Sequence, residues 1–191
     1  LTVTVVAAAA GIGPIYREGA RVGDAICVTG QLGGSGQVVD GRAHHLEFEP
    51  RIGLARTLAE RFEIRAMIDI SDGLARDVGH LCHASGVGGE LWAESLPASE
   101  AAKMRAASRS CSVWQCVLVD GEDHELCFVM DAAKADSVLP VEVDGVDVAR
   151  VGVITAATGK PVVKLRMPDG ATRGVDDLGW EHGTGGQGKN G

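Results

Sequence analysis

Within a few residues the chain changes its hydrophobic period. Met67-Ile68-Asp69-Ile70 reads as a short strand, and after Ser71-Asp72-Gly73 the apolar residues Leu74, Val78, Leu81 and Cys82 recur on one helical face. Gly86 follows as a helix-ending residue. A strand that turns directly into an amphipathic helix calls for an architecture in which both element types share a core. It also puts two carboxylates and a hydroxyl at the junction, where a helix begins.

The rest of the chain continues this mixture. Ala25 to Thr29 reads as a buried strand stopped by Gly30, and the run Gly30 to Gly36 as a loop. After Pro50, residues Ile52, Leu54, Ala55, Leu58, Ala59 and Phe62 trace a helical face. Further strands are expected at Gly89 to Ala93, Cys116 to Val119, Leu126 to Met130, Val141 to Val143, Val148 to Ile154 and Val162 to Met167. Helices are expected from Ser99-Glu100 to about Arg109 and from Ala132 onward. Pro168-Asp169-Gly170 signals a hairpin. Strands outnumber helices and the two are mixed, so the expected class is α+β or layered α/β. No internal repeat or linker divides residues 12 to 182.

Composition narrows the function. With three Trp, one Tyr and three Phe among 191 residues, the core must be built mainly from Val, Ala, Leu and Ile. A formal charge of −8 without a Lys/Arg run argues against nucleic acid or an anionic membrane surface as main partner. Charges interrupt every candidate for a membrane span. Cys27, Cys82, Cys111, Cys116 and Cys127 are odd in number and include no CxxC pair, which favours a reducing cytoplasmic setting over a disulfide framework. The opening LTVTVVAAAA lacks a basic n-region and reads as a strand that joins an existing sheet. The expectation is that residues 1–11 are the last strand of an absent N-terminal domain. The glycine-rich 183–191 is expected to be a disordered tail.

Three segments could carry chemistry. In Ile68-Asp69-Ile70-Ser71-Asp72-Gly73-Leu74, Asp69 interrupts an otherwise apolar strand, where an unpaired charge is costly. Ser71 or Asp72 can cap the helix, and helix N-termini attract phosphate. Carboxylates beside such a site supply the hard oxygens that Mg²⁺ favours. An ordinary N-cap with a hydrogen-bonded strand Asp accounts for the same residues. Gly121-Glu122-Asp123-His124-Glu125 could hold a metal or a cationic ligand, or simply be a solvated turn between two strands. Trp180, in Gly179-Trp180-Glu181-His182, either seals a core edge or stacks on a flat, electron-poor ring. His44-His45 and His80-xx-His83 lack a partner at zinc spacing and read as surface histidines. No P-loop, nucleophile elbow or activated cysteine occurs, so covalent catalysis is not expected.

Taken in order, the segments resemble the C-terminal part of the thiamine-monophosphate kinase family, within the aminoimidazole-ribonucleotide synthetase-like superfamily. The likeness rests on Tyr16 to Asp24 leading to Val28-Thr29-Gly30, then Pro50-Arg51, Ala66 to Asp77 with Gly79-His80, Gly121 to Leu126, and Gly179 to His182. The resemblance implies a layered α/β/α domain with a mixed sheet and partial likeness to the ferredoxin-like arrangement. It implies ATP-dependent conversion of thiamine monophosphate to thiamine diphosphate by direct γ-phosphoryl transfer, with Mg²⁺ as cofactor. It also implies a homodimer in the full-length protein.

Carried over by position, Asp69 and Asp72 resemble Mg²⁺ ligands, Arg17 and Ser71 contacts to ATP, and Glu122 and Trp180 contacts to the thiamine substrate. The family's N-terminal ATP-binding domain has no counterpart in these residues, so the chain alone is expected to be inactive. Two departures stand out. Asp120 replaces a family glycine and would be strained at positive φ, and Gly34-Ser35 lacks the family's Asp. The alternatives are a non-catalytic ligand-binding module of the same fold, or a related kinase acting on another phosphorylated metabolite.

Overall fold

The computed structural model describes residues 13–35 and 48–175, together with Thr4, Gly11, Val38–Val39, Arg42–Ala43, Leu46 and Leu178. The expected opening strand, His44-His45, Trp180 and the 183–191 tail therefore lie outside the described residues.

In chain order the elements are β1 (Ala25–Thr29), a small hairpin of β2 (Val38–Val39) and β3 (Arg42–Ala43), α1 (Ile52–Arg61), β4 (Ile64–Asp69), α2 (Leu74–Ser85) and β5 (Gly88–Trp92). They continue with α3 (Glu100–Arg109), α4 (Val113–Val119), β6 (Leu126–Met130), α5 (Ala132–Val138), β7 (Val141–Val143), β8 (Val146–Thr155), β9 (Val163–Arg166) and β10 (Thr172–Gly174). One mixed sheet runs β10-β9-β5-β8-β1-β6-β4, with β7 added to β8. Its pairs are antiparallel except for β5 and β9, which run parallel.

Each face of this sheet buries its own cluster. On one side Ile26, Val28, Ile68, Leu91 and Leu165 meet Leu74, Val78 and Leu81 of α2 and Leu118 of α4. On the other, Ala25, Cys27, Phe128 and Met130 meet Leu54 and Leu58 of α1 and Ala135 of α5. The arrangement is the expected layered α/β/α. β1 lies inside the sheet, between β8 and β6, and all five of its residues are buried, which suits its nearly unbroken apolar run. Toward β9, the second buried cluster includes no residue of β5 or β9 among the described residues. There Trp92 lies between the guanidinium groups of Arg150 and Arg166, each 4.9 Å from its ring centre.

One expected strand is a helix. Cys116 to Val119 belongs to α4, which starts at a capping box in which Ser112 and Gln115 satisfy each other's main-chain N–H groups. Cys116, Val117 and Leu118 are all buried, so their apolar run carried no period. The acidic segment after it therefore joins a helix to a strand, not two strands. On α1, Ile52 is 64% exposed and falls off the buried face that Leu54 and Leu58 define. The Pro168-Asp169-Gly170 hairpin forms as expected, with Thr172 opposite Arg166.

All five cysteines are unpaired as disulfides, and four are buried. Burial pushes the thiols of Cys27 and Cys82 up to about 12 and raises those of Cys116 and Cys127 as well. Cys111 is half-exposed, 3.9 Å from the sulfur of Cys116. A thiol reagent applied to the native protein at mildly alkaline pH should modify Cys111 first, and the other four only after unfolding. Rapid native labelling of Cys27 or Cys127 would contradict this packing.

Candidate functional site at the acidic end of the sheet

The site forms where β4 and β6 end. Their last register pair is Asp69 with Leu126, and beyond it the two chains remain tied. The N–H of Ile70 donates to the Glu125 carbonyl at 2.8 Å, that of His124 to Ile70 at 2.9 Å, and that of Glu122 to Ser71 at 2.9 Å. Two glycines allow this approach. A Cβ on Gly121 would lie 2.4 Å from the Ser71 oxygen, and one on Gly73, at φ +102, 2.8 Å from the Leu118 oxygen.

The acidic segment divides its side chains between interior and solvent. Glu122 and His124 hold positive φ angles of 63° and 54°. Such conformations are uncommon for non-glycine residues and accumulate at functional sites. Between and after them, Asp123 and Glu125 turn inward and are buried. Asp123 accepts from the N–H groups of Gly33 and Gly34, both at 2.8 Å, and so pins the loop after β1. Glu125 accepts from the Thr29 hydroxyl at 2.6 Å and from Arg51 Nε at 3.0 Å and Nη2 at 2.7 Å. That two-pronged pair raises the Arg51 guanidinium's pKa. His124 stacks on Phe48 with ring centres 3.8 Å apart. Glu122 alone of these acids is exposed.

The strand–helix junction departs from the expected capping. Neither Ser71 nor Asp72 caps α2: the N-cap is Gly73, which has no side chain to do so. Asp77, one turn into the helix, reaches back instead, and its Oδ2 accepts from the N–H groups of both Ser71 and Asp72 at 3.0 Å. Burial pushes the Asp77 carboxyl up to about 7 against those two bonds, and the charges of Asp72 and Asp69 add to the rise. Asp69 is exposed at the strand end, so it escapes the burial cost expected for a charge on an apolar strand. His80, expected to be an unpartnered surface residue, places Nε2 3.8 Å from Asp72 Oδ2.

Asp120 carries no strain: its φ is −69°, and it pairs with Arg105. Arg17 is exposed on the open edge of β4, since the carbonyl of Tyr16 accepts from the N–H of Met67 at 3.0 Å. Five of the six residues singled out from the sequence (Arg17, Asp69, Ser71, Asp72 and Glu122) thus lie along one edge and end of the sheet. The sixth, Trp180, lies outside the described residues. Sequence reasoning missed Asp77, whose signal is an acid in the first turn of a helix, and the Arg51–Glu125 pair. A hollow of ≈ 320 Å³ is lined by Gly30, Gly34, Arg51, Glu125 and Asp147, beside the buried acids of this segment, and an apolar hollow of ≈ 210 Å³ lies beside Leu96, Trp114 and Met167.

The family described as "AIR synthase related protein, C-terminal domain" matches residues 21–164. The chain belongs to that family. Over 171 residues it is 41% identical to the thiamine-monophosphate kinase of Rhodopirellula baltica, covering 86% of this chain and 52% of that one. The solved structure of AaThiL complexed with AMPPCP and TMP is 28% identical, with a TM-score of 0.64 over 88% of this chain and 54% of that one. Escherichia coli HypE, a hydrogenase maturation protein, shares the fold at 18% identity, with a TM-score of 0.66 over 86% of this chain and 52% of that one. The chain spans about half the length of the curated relatives it matches.

Removing the Glu125 carboxylate tests the frame of the site. Glu125→Ala removes the carboxylate from Arg51 and the acceptor from the buried Thr29 hydroxyl, and should cost about 3 kcal/mol in urea unfolding. A loss below about 0.5 kcal/mol, the scale of an exposed pair, would show that the ion pair does not hold these segments together.

Proposed function

We propose that this chain is the substrate-side part of a thiamine-monophosphate kinase, which transfers the γ-phosphoryl group of ATP to thiamine monophosphate. The observation that carries the reading is the convergence of Asp69, Ser71, Asp72 and Glu122 at one end of the sheet, in a chain 41% identical to a relative of that name. The likeness to AaThiL, solved with AMPPCP and TMP, supports it.

The donor set fits Mg²⁺. Asp69 and Asp72 offer hard carboxylate oxygens, exposed and half-exposed respectively, beside the start of α2. On this reading those two residues hold the ion, which when bound neutralises charge on the phosphates. Ser71 and the planar fork of Arg17 bind ATP, orienting it for in-line transfer. Glu122 accepts from the aminopyrimidine edge of the thiamine, and Trp180 stacks on its cationic, flat heterocycle. No covalent intermediate is required, in keeping with four buried thiols of raised pKa.

Arg17, Asp69 and Glu122 are all exposed, so a ligand held only by them keeps one side in water. That, together with relatives about twice as long, supports a composite site. Residues 12–182 then form the substrate-side domain, and 1–11 belong to the sheet of a nucleotide-binding half. The assembly is proposed to be a cytoplasmic homodimer. Among the described residues no helix is long and apolar enough to cross a membrane. No observation favours a different phosphorylated substrate: Asp120 is unstrained, and the N–H of Gly34 is taken by Asp123.

The test supplies ATP, Mg²⁺ and thiamine monophosphate to this chain and to the complete product of its gene, and quantifies thiamine diphosphate. Product is expected from the complete protein and not from the 191 residues alone. In the complete protein Asp72→Asn should lower kcat by about 100-fold. No product from either protein sinks the kinase reading, and undiminished turnover by Asp72→Asn removes Asp72 from the site.

A further inference from the structure

Asp77 is the one acid at the junction that is shut away from solvent. It is 1% exposed, whereas the Asp72 side chain keeps 20% of its surface. A buried carboxylate is costly unless its oxygens are satisfied. Here two main-chain N–H groups converge on a single oxygen, each at 3.0 Å. Those N–H groups belong to Ser71 and Asp72, the two residues that precede the Gly73 N-cap. The two bonds fix the main chain of the very residues whose side chains face the site, and charge-assisted bonds of this kind are the strong ones.

We propose that Asp77 is a positioning residue: it clamps the Ser71–Asp72 main chain so that the Asp72 carboxylate is held ready for a divalent cation, without itself binding that cation. The proposal deepens the kinase reading and rests on it for the cation's place in the reaction. The rival role is direct ligation, since single ligand atoms of Asp72, Asp77 and His80 lie within 4.8 Å of one another. Burial decides between them. Mg²⁺ keeps several waters or phosphate oxygens in its shell, and such an ion does not reach a side chain that is 1% exposed, with one oxygen already holding two N–H groups.

The experiment compares the full chain with its Asp77→Ala, Asp77→Asn and Asp72→Asn variants, using Mn²⁺ as the probe. Mn²⁺ affinity is read by electron paramagnetic resonance, and hydrogen exchange of the Ser71 and Asp72 amides by NMR. An amide oxygen can accept the same two N–H groups, so Asp77→Asn should stay within about 3-fold of the wild type in both readouts. Asp77→Ala should weaken Mn²⁺ binding by about 10- to 100-fold, the range for removing a residue that supports a ligand, and speed exchange at both amides. Asp72→Asn should lose Mn²⁺ while both amides stay slow.

The proposal is overturned if Asp77→Asn loses Mn²⁺ as fully as Asp77→Ala with its amides still protected, which is the signature of a direct ligand. It is also overturned if Asp77→Ala behaves as wild type, or if the wild type binds no Mn²⁺. Should Asp77→Ala fail to fold, the Asp77→Asn comparison decides alone. Neither readout involves thiamine. A failed kinase assay with these shifts intact would therefore sink the kinase reading and leave the clamp standing.

Discussion

A carboxylate buried between strands dictates much of how this molecule is joined. Glu125 is 4% exposed and cannot stay charged there without partners. It finds them in Thr29 at the end of β1 and Arg51 at the start of α1. The Thr29 hydroxyl in turn accepts from the N–H of Leu126 at 2.9 Å, so donors and acceptors close into a circuit. Gly30 must be a glycine for this to fit, because a Cβ there would lie 2.2 Å from the Glu125 carboxylate. Three elements distant in sequence are thereby fixed at one end of the sheet, and the exposed acids inherit their positions from that fixture.

The circuit also explains why the acidic segment divides as it does. Positive φ at Glu122 and His124 turns the chain twice, so that inward and outward positions alternate without a strand's regularity. Asp123 and Glu125 supply structure, whereas Glu122 faces solvent. Of these four ionisable residues in a row, Asp123 and Glu125 tie distant segments through buried hydrogen bonds, and His124 packs on Phe48.

Much of this was legible in the sequence. Alternating strand and helix periods gave the class, because Leu74, Val78, Leu81 and Cys82 have only one way to share a core face. At Asp69-Ile70-Ser71-Asp72-Gly73 the sequence showed two carboxylates and a hydroxyl at the start of a helix, which an N-cap with a hydrogen-bonded strand Asp accounts for equally, and the reading of a metal and ATP site there came from the family resemblance. What stayed hidden depended on long-range partners. The run from Cys116 to Val119 shows no helical period because its first three residues, Cys116, Val117 and Leu118, are all buried in a row. Nothing local says that Arg51 meets Glu125, or that Asp77 reaches backward and not outward. The first arises only when α1 and β6 come together across 74 residues of chain, and the second from the way the main chain folds between β4 and α2.

The central place of β1 has a consequence in time. All five of its residues are buried, yet residue 25 pairs with residue 130 on one side and residue 153 on the other. At a synthesis rate of up to about 20 residues per second, the ribosome needs about five seconds after making β1 before its first neighbour exists. Through that interval Ala-Ile-Cys-Val-Thr is an apolar segment with both hydrogen-bonding edges open. Its sheet cannot assemble from one end to the other, but must wait and close around its oldest strand.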